Sequence, residues 1–381
     1  MEGDFIKINK WLLPASWLYG LGVKLRNTLF DIGVLKSRAF KVPIISVGNI
    51  TVGGTGKTPH VEYLVRLLKD QFNVAVLSRG YKRKSKGFIV AAGDTPMTEI
   101  GDEPFQMKQK FKDVTIAVDK NRCHAIDELT SSDDTIDVIL LDDAFQHRYV
   151  KPGINILLVD YHRLLIYDCL LPAGRLREPI KGKNRADIVI VTKCPQELKP
   201  MEYRVIKKAM NLFPYQTLYF TTLTYGSLKP IFSTDKPDIP LSGLAGKHVL
   251  LLTGIGSPEQ MIHDITPLSK AVTPVTFSDH HHFKPKDISL INDTFAAISG
   301  DKIIVTTEKD ATRLQTVEGL SDDVRSNIYA LPLFISFMQD EGELFNNQIV
   351  GYVRKNSKNS ILAKREPSVK PQKKANVIRF K

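Results

Sequence analysis

Ile44-Ile45-Ser46-Val47-Gly48-Asn49-Ile50-Thr51-Val52-Gly53-Gly54-Thr55-Gly56-Lys57-Thr58 reads as a buried strand, then a glycine-rich loop, then Gly-Lys-Thr opening a helix near Pro59. Glycines let successive backbone N–H groups turn inward, because no Cβ blocks positive-φ turns. Thr51, Val52, Gly53, Gly54, Thr55, Gly56, Lys57 and Thr58 are therefore the expected cradle for a nucleoside triphosphate. Lys57 can reach the β- and γ-phosphates, the Thr58 hydroxyl can sit on Mg²⁺, and the helix dipole points its positive end at the anion. Thr51 occupies the slot where the usual pattern has its first glycine. A chance glycine turn is the competing reading, and the strand-then-helix flanks count against it.

Further along, Val74–Leu77, Val114–Val118, Ile136–Leu141, Ile154–Val159 and Asp187–Val191 are short apolar runs separated by helix-length segments. They predict a P-loop-like α/β fold, a mostly parallel sheet with helices on both faces. Ligands of such sheets sit at the carboxyl ends of the strands. There the sequence places Ser78-Arg79-Gly80-Tyr81, Asp119, Asp142-Asp143, Asp160 and Thr192-Lys193. A second, smaller α/β unit is expected from about residue 220, with strands at Val249–Leu252 and Ile303–Thr307. Gly254-x-Gly256 alone is a weak dinucleotide signal.

The chain has 381 residues, 43% hydrophobic and 25% charged, enough for two domains with ordinary cores. Cys123, Cys169 and Cys194 are isolated, which argues for a reducing compartment and against a disulfide framework or cysteine zinc site. Net charge is +12, but Arg354–Lys381 holds ten Lys/Arg against the single Glu366. The body is thus only weakly basic, and a nucleic-acid motor is not expected. The Pro- and Lys-rich tail reads as a solvated extension or one drawn to anionic lipid. No run of about 18 uncharged apolar residues suggests a membrane span, and no cleavable signal is expected. Trp11 to Tyr19 leads into a helical pattern with Leu18, Leu21, Leu25 and Leu29 on one face. That suits either a membrane interface or packing on the core.

Several residues can carry chemistry. Asp142-Asp143 ends a buried strand, so a carboxylate there can hold Mg²⁺; capping aspartates are the plain alternative. His147 follows nearby, as a structural or substrate-contacting histidine. Asp102, in Gly101-Asp102-Glu103-Pro104, is either a helix cap or a base for an acceptor hydroxyl. Phe277-Ser278-Asp279-His280-His281-His282-Phe283 invites a zinc reading. Adjacent side chains diverge, however, so an aspartate-held histidine is better supported. Leu171-Pro172-Ala173-Gly174-Arg175-Leu176-Arg177-Glu178-Pro179 offers arginine forks for phosphate and Glu178 for a metal shell. Arg79 and Arg122 stand at strand ends. A GTPase switch is disfavoured, since Thr192-Lys193-Cys194-Pro195 lacks the guanine-reading Asp.

Taken together, the cradle, Ser78-Arg79-Gly80-Tyr81, Gly101-Asp102-Glu103-Pro104, Asp142-Asp143-Ala144-Phe145-Gln146-His147, Leu171 to Pro179, Asp279-His280-His281-His282-Phe283 and Thr307-Glu308-Lys309-Asp310-Ala311 resemble the tetraacyldisaccharide 4′-kinases of the lipid A pathway. The resemblance covers roughly residues 10–335. Thr51 is normal for that family; Ala144 departs from its usual Gly. The resemblance implies transfer of the ATP γ-phosphate to the 4′-hydroxyl of a tetraacylated glucosamine disaccharide 1-phosphate. It also implies two α/β domains joined by a short ribbon and closing over ATP. Carried over by motif, Asp102 and His280 form the basic dyad, with His281 as rival. Lys57 neutralises phosphate, and Thr58, Asp142 and Glu178 surround Mg²⁺. Asp143, Gln146 and His147 line the acceptor side, with Arg122 and Arg177 on phosphate charge.

The expected organisation is an N-terminal membrane-interface helix region over 1–35, a P-loop kinase domain over 36–220, a smaller α/β domain contributing the histidine loop over 221–345, and a basic, disordered tail over 346–381. The protein is expected to be a monomer held peripherally at the cytoplasmic face of the inner membrane, its partner the lipid substrate.

Overall fold

A computed structural model describes residues 8–233, 235–255, 258–278 and 281–357. Its first strands are β1 (Ile44–Gly48), β2 (Val74–Ser78), β3 (Ile89–Val90), β4 (Thr115–Val118), β5 (Val138–Asp142), β6 (Ile154–Asp160), β7 (Ile188–Thr192) and β8 (Thr217–Tyr225). A second sheet follows from β9 (Lys229–Pro230), β10 (His248–Thr253), β11 (Ala271–Thr276), β12 (Lys302–Thr307) and β13 (Ile328–Leu331), in the order β11-β10-β12-β13-β9. The chain then returns through β14 (Leu333–Phe337), antiparallel to β8, closing a nine-stranded sheet ordered β14-β8-β7-β6-β1-β5-β2-β4-β3. The helices are α1 (Leu13–Asp31), α2 (Lys57–Leu68), α3 (Met97–Ile100), α4 (Asp102–Lys110), α5 (Arg122–Ser132), α6 (Pro200–Met210), α7 (Glu259–Ile265), α8 (Pro285–Ala297), α9 (Glu308–Leu314), α10 (Asp322–Asn327) and α11 (Gly342–Asn356).

The pattern of continuous apolar strands has the predicted consequence. β1, β2, β5 and β7 are buried along their whole length, and each pairs in parallel with its neighbours, so both faces must be covered. On one face lie α2 through Val61, Leu64, Val65 and Leu68, and α11 through Phe345, Ile349 and Val353. The other face is covered by α5 through Ala125, Ile126 and Leu129, and by α6 through Ile206 and Met210. Two adjacent antiparallel strands, β8 and β14, belong to the large sheet while their far ends run into the small one. This is a two-strand ribbon.

Two expected boundaries shift. The chain does not leave the first sheet at residue 220, because β8 continues in it to Tyr225. Nor does the tail begin at 346: α11 runs to Asn356 and plugs the first core. Its helical period was masked in the sequence by the basic residues that follow. Phe345 stacks on Phe337 (ring centroids 4.4 Å apart) and meets Tyr219 edge-on at 5.4 Å. Phe345→Ala is expected to lower the unfolding free energy by about 3–5 kcal/mol, the usual cost of emptying an aromatic site, read from urea denaturation by circular dichroism.

Candidate active site

The glycine loop between β1 and α2 is fixed from three sides. Gly53 and Gly56 adopt φ of 118° and 80°, angles that a side chain would resist. Within the loop, Asn49 donates from Nδ2 to Thr55 Oγ1 (2.8 Å). From β7, Thr192 Oγ1 donates to Thr55 O (3.0 Å). His60 sits buried between Gly56 O (2.7 Å) and Thr221 Oγ1 of β8 (3.1 Å), and burial lowers its pKa to about 4. The third restraint is backbone pairing with the 171–179 segment. Val52 N–H donates to Arg175 O (2.8 Å) and Arg177 N–H to Ile50 O (2.7 Å), with Thr51 bridged antiparallel to Leu176. Thr51 thus sits in a two-stranded contact, where a β-branched residue fits and glycine is not needed.

β5 runs beside β1 with Asp142 opposite Val47, which sets Asp142-Asp143 at the cradle's edge. Asp143 takes φ 47° and turns its carboxylate between two cations, 3.7 Å from Lys57 Nζ and 3.7 Å from Arg177. Arg177 also reaches Gln146 Oε1 (3.3 Å). Lys57, Asp143, Gln146 and Arg177 therefore form one cluster. The left-handed turn falls on Asp143 and not on Ala144, so alanine in the family's glycine position carries no conformational penalty.

Asp142 is 1% exposed, and neither carboxylate oxygen has a hydrogen-bond partner among the described residues. Burial first, then Glu103 and Asp143, push its pKa up to about 7, against the pull of Lys57 and Arg122. Glu178 is also buried; Oε2 accepts from Arg185 (2.8 Å) while Oε1 is unpartnered among the described residues. Orphaned carboxylate oxygens beside a glycine loop are the donor type that Mg²⁺ takes, so Asp142 and Glu178 could hold one. Among the described residues no group of three His, Cys, Asp or Glu side chains could hold a metal unaided.

Arg122, at the start of α5, is buried and gives its guanidinium to the main-chain oxygens of Asp119 (3.3 Å) and Asp142 (3.4 Å); burial lowers its pKa to about 10. His147 lies on the same side, its pKa lowered to about 4 by burial and by Arg122, Arg26 and Arg79. It is neutral at physiological pH.

Asp102 opens α4 behind Gly101, whose φ is 91° and whose added Cβ would lie 2.8 Å from Tyr81 O. Arg313 of α9 donates from Nε to Asp102 Oδ2 (3.0 Å). His280 lies outside the described residues, as does Asp279. The rival His281 is engaged elsewhere: Nε2 is 2.8 Å from Asp287 Oδ2, and the ring stacks on Phe277. Sequence reasoning missed His60 and Arg313, and placed Thr192 at a strand end without its bond to the loop. His60 and Arg313 occupy helical positions that read as ordinary surface, and no local pattern marks either.

α1 crosses the same loops. Tyr19 donates to Arg177 O (2.9 Å), Ser16 Oγ accepts from Ala173 N–H (2.9 Å), and Arg26 donates to Gln146 O (2.9 Å). Leu18, Leu21 and Leu25 face outward with Trp11 (93% exposed) and Trp17 (71%); Leu29 is partly covered. The leucine face is therefore not used for core packing. No helix among the described residues is long and apolar enough to cross a membrane.

The cradle, its lysine and the strand-end carboxylates define a P-loop α/β enzyme of the phosphotransferase class. The family model for tetraacyldisaccharide-1-P 4′-kinase matches residues 8–350. A tetraacyldisaccharide 4′-kinase of Phocaeicola vulgatus is 58% identical over 94% of this chain and 99% of its own. One of Bacteroides thetaiotaomicron is 53% identical over 96% and 99%. A crystal structure of "apo" form LpxK from Aquifex aeolicus in complex with ATP is 31% identical with a TM-score of 0.67, covering 90% of this chain and 98% of that one. The chain belongs to the tetraacyldisaccharide 4′-kinase family, as its motifs implied, and is a kinase of lipid A biosynthesis.

Because Asp142 is held above its ordinary 3.8, folding of the metal-free protein favours its protonated form. The stability this contributes is complete below pH 3.8 and is lost as pH rises through about 7. Metal-free Asp142→Asn is therefore expected to gain in thermal midpoint over the parent as pH rises from about 4 to 7, measured by differential scanning calorimetry in EDTA.

Proposed function

We propose that residues 51–58 bind ATP and that this chain passes its γ-phosphoryl group to the 4′-hydroxyl of tetraacyldisaccharide 1-phosphate. The observation that carries the reading is Asp143 held between Lys57 and Arg177 at the mouth of the glycine loop. Two cations restrained by one carboxylate at that point are prepared for phosphate oxygens. The loop amides and Lys57 cradle the β- and γ-phosphates. Arg177 and Arg122 add positive charge. Asp143, Gln146 and neutral His147 orient the acceptor sugar. Thr58, Asp142 and Glu178 would hold Mg²⁺, which would offset the charge developing on the phosphate oxygens. As the hydroxyl oxygen bonds to the γ-phosphorus, the bridging bond to ADP breaks. The hydroxyl proton passes to Asp102, acting with His280. A dissociative transfer of this kind depends more on placement and charge neutralisation than on a strong base.

The acceptor's acyl chains stay in the lipid, so the reading also assigns α1 to the bilayer surface, at the cytoplasmic face of the inner membrane. Support comes from Trp17, Leu18, Leu21 and Leu25, exposed on a helix that bonds directly to the 173–177 and 146 segments of the site, and from exposed Trp11 in the turn just before it. Aromatic and leucine side chains on a helix with Lys24 and Arg26 suit an interface. The reading takes the enzyme to act as a monomer.

Lys57→Ala is expected to cut transfer of labelled phosphate from ATP to the purified lipid by about 10²–10³-fold or more, as removal of a transition-state charge does. Asp102→Ala should cost less; near-normal transfer by the Lys57 variant would refute the assignment. Replacing Trp17 and Leu21 together with Glu should abolish recovery with anionic vesicles in flotation. Unchanged flotation would remove α1 from the membrane.

A further inference from the structure

Asp102 belongs to the first sheet's side of the molecule and Arg313 to the second sheet's α9, yet they meet. Arg313 is buried, with 3% of its side chain exposed. Its Nε and second terminal nitrogen both address Oδ2 of Asp102, a fixed fork that lysine could not reproduce. Arg313 is itself aimed. Its other terminal nitrogen donates to Asp310 Oδ1 (3.1 Å). Asp310 Oδ2 in turn accepts from Gly254 N–H (2.8 Å) and from the Thr307 hydroxyl (2.7 Å). Gly254 follows β10 and Thr307 ends β12. An added Cβ on Gly254 would lie 2.8 Å from Asp310 Oδ1. The guanidinium is thus anchored to the carboxyl ends of two strands of the small sheet.

Two more ion contacts cross the same junction. Lys110 of α4 sits 2.7 Å from both Glu62 and Glu308, and Lys309 lies 3.9 Å from Glu103. Among the described residues, the charged groups around Asp102 include Glu103 on its own helix, Arg313, Lys309 and Asp310 from α9, and more remotely the Lys110, Glu62 and Glu308 set. Glu103 is near enough to Asp142 to raise that carboxyl, so the junction abuts the phosphate end of the site.

We propose that Arg313 is a positioning residue for Asp102: it aims the Asp102 carboxylate and makes the base available only while α9 of the small sheet is docked on α4. Phosphoryl transfer is thereby tied to the closed arrangement of the two sheets, since separating them withdraws the cation that orients the base. The inference rests on the reading of Asp102 as the proton acceptor and adds the group that acts through it.

The test is the pH profile of kcat/KM for the full chain with ATP and the lipid acceptor. Arg313→Ala is expected to lower kcat by about 10²-fold, the scale of a misplaced reacting group. It should also move the acid limb of the profile upward by about 1–3 pH units, the effect of removing a cation beside an aspartate. Arg313→Lys keeps the charge without the fork, so its limb should stay near the parent's while kcat falls. In an Asp102→Ala background, Arg313→Ala should have little further effect. If Arg313→Ala does not fold by circular dichroism, Arg313→Gln and Arg313→Lys carry the same comparison. An unmoved acid limb together with additive losses in the double variant would overturn the proposal and leave a structural role only. Full activity of Asp102→Ala alone would instead overturn the reading of Asp102.

Discussion

The structure depends on how the loop from Asn49 to Gly56 is held open. A glycine-rich loop presents main-chain N–H and C=O groups that each need a partner. Here the carbonyls are taken up elsewhere. Thr192 bonds Thr55 O, His60 bonds Gly56 O, and Arg177 N–H bonds Ile50 O. These partners lie on β7, on α2 and in the 171–179 segment, so the cradle is closed only when the sheet is assembled. The polar core around it is costly: among the described residues both carboxylate oxygens of Asp142 and one of Glu178 lack a hydrogen-bond partner. Groups of this kind are retained where a ligand completes them.

Charge is arranged in two layers about this point. Near the loop, Lys57 and Arg177 share Asp143, a weak and partly exposed contact. Across the junction, Arg313 binds Asp102 while Asp310 holds it from behind, a buried arrangement that nothing small displaces cheaply. The first layer is built to exchange partners and the second to keep them. Helix α1 spans the outside of the same loops through the Tyr19 and Arg26 side chains, which donate to loop carbonyls, and leaves Trp17, Leu18, Leu21 and Leu25 to solvent.

Much of this was legible in the chain. Runs such as Ile44–Val47 and Ile136–Leu141 announce parallel strands because a strand covered on both faces must be apolar at every position. The glycine loop announces its ligand because few residue types can form it. The Asp142-Asp143, Leu171–Pro179 and Asp102 motifs mark strand ends and turns, where local chemistry is written locally. By contrast β8, β14 and α11 were not resolved as parts of the first sheet's layer. Their placement is a matter of sheet order and return path, and β14 is separated from its partner β8 by the whole second sheet.

What the sequence alone determined was therefore the parallel sheet, the glycine loop and the polar residues at the strand ends beside it, since each follows from backbone freedom or side-chain type within a short window. Tertiary structure decided which groups face one another. It set Asp143 between two cations, gave His281 to Asp287, and brought Arg313 to Asp102 across 211 positions of chain. It also turned the leucines of α1 outward. Such pairings depend on where distant elements pack, and no local spacing encodes that geometry.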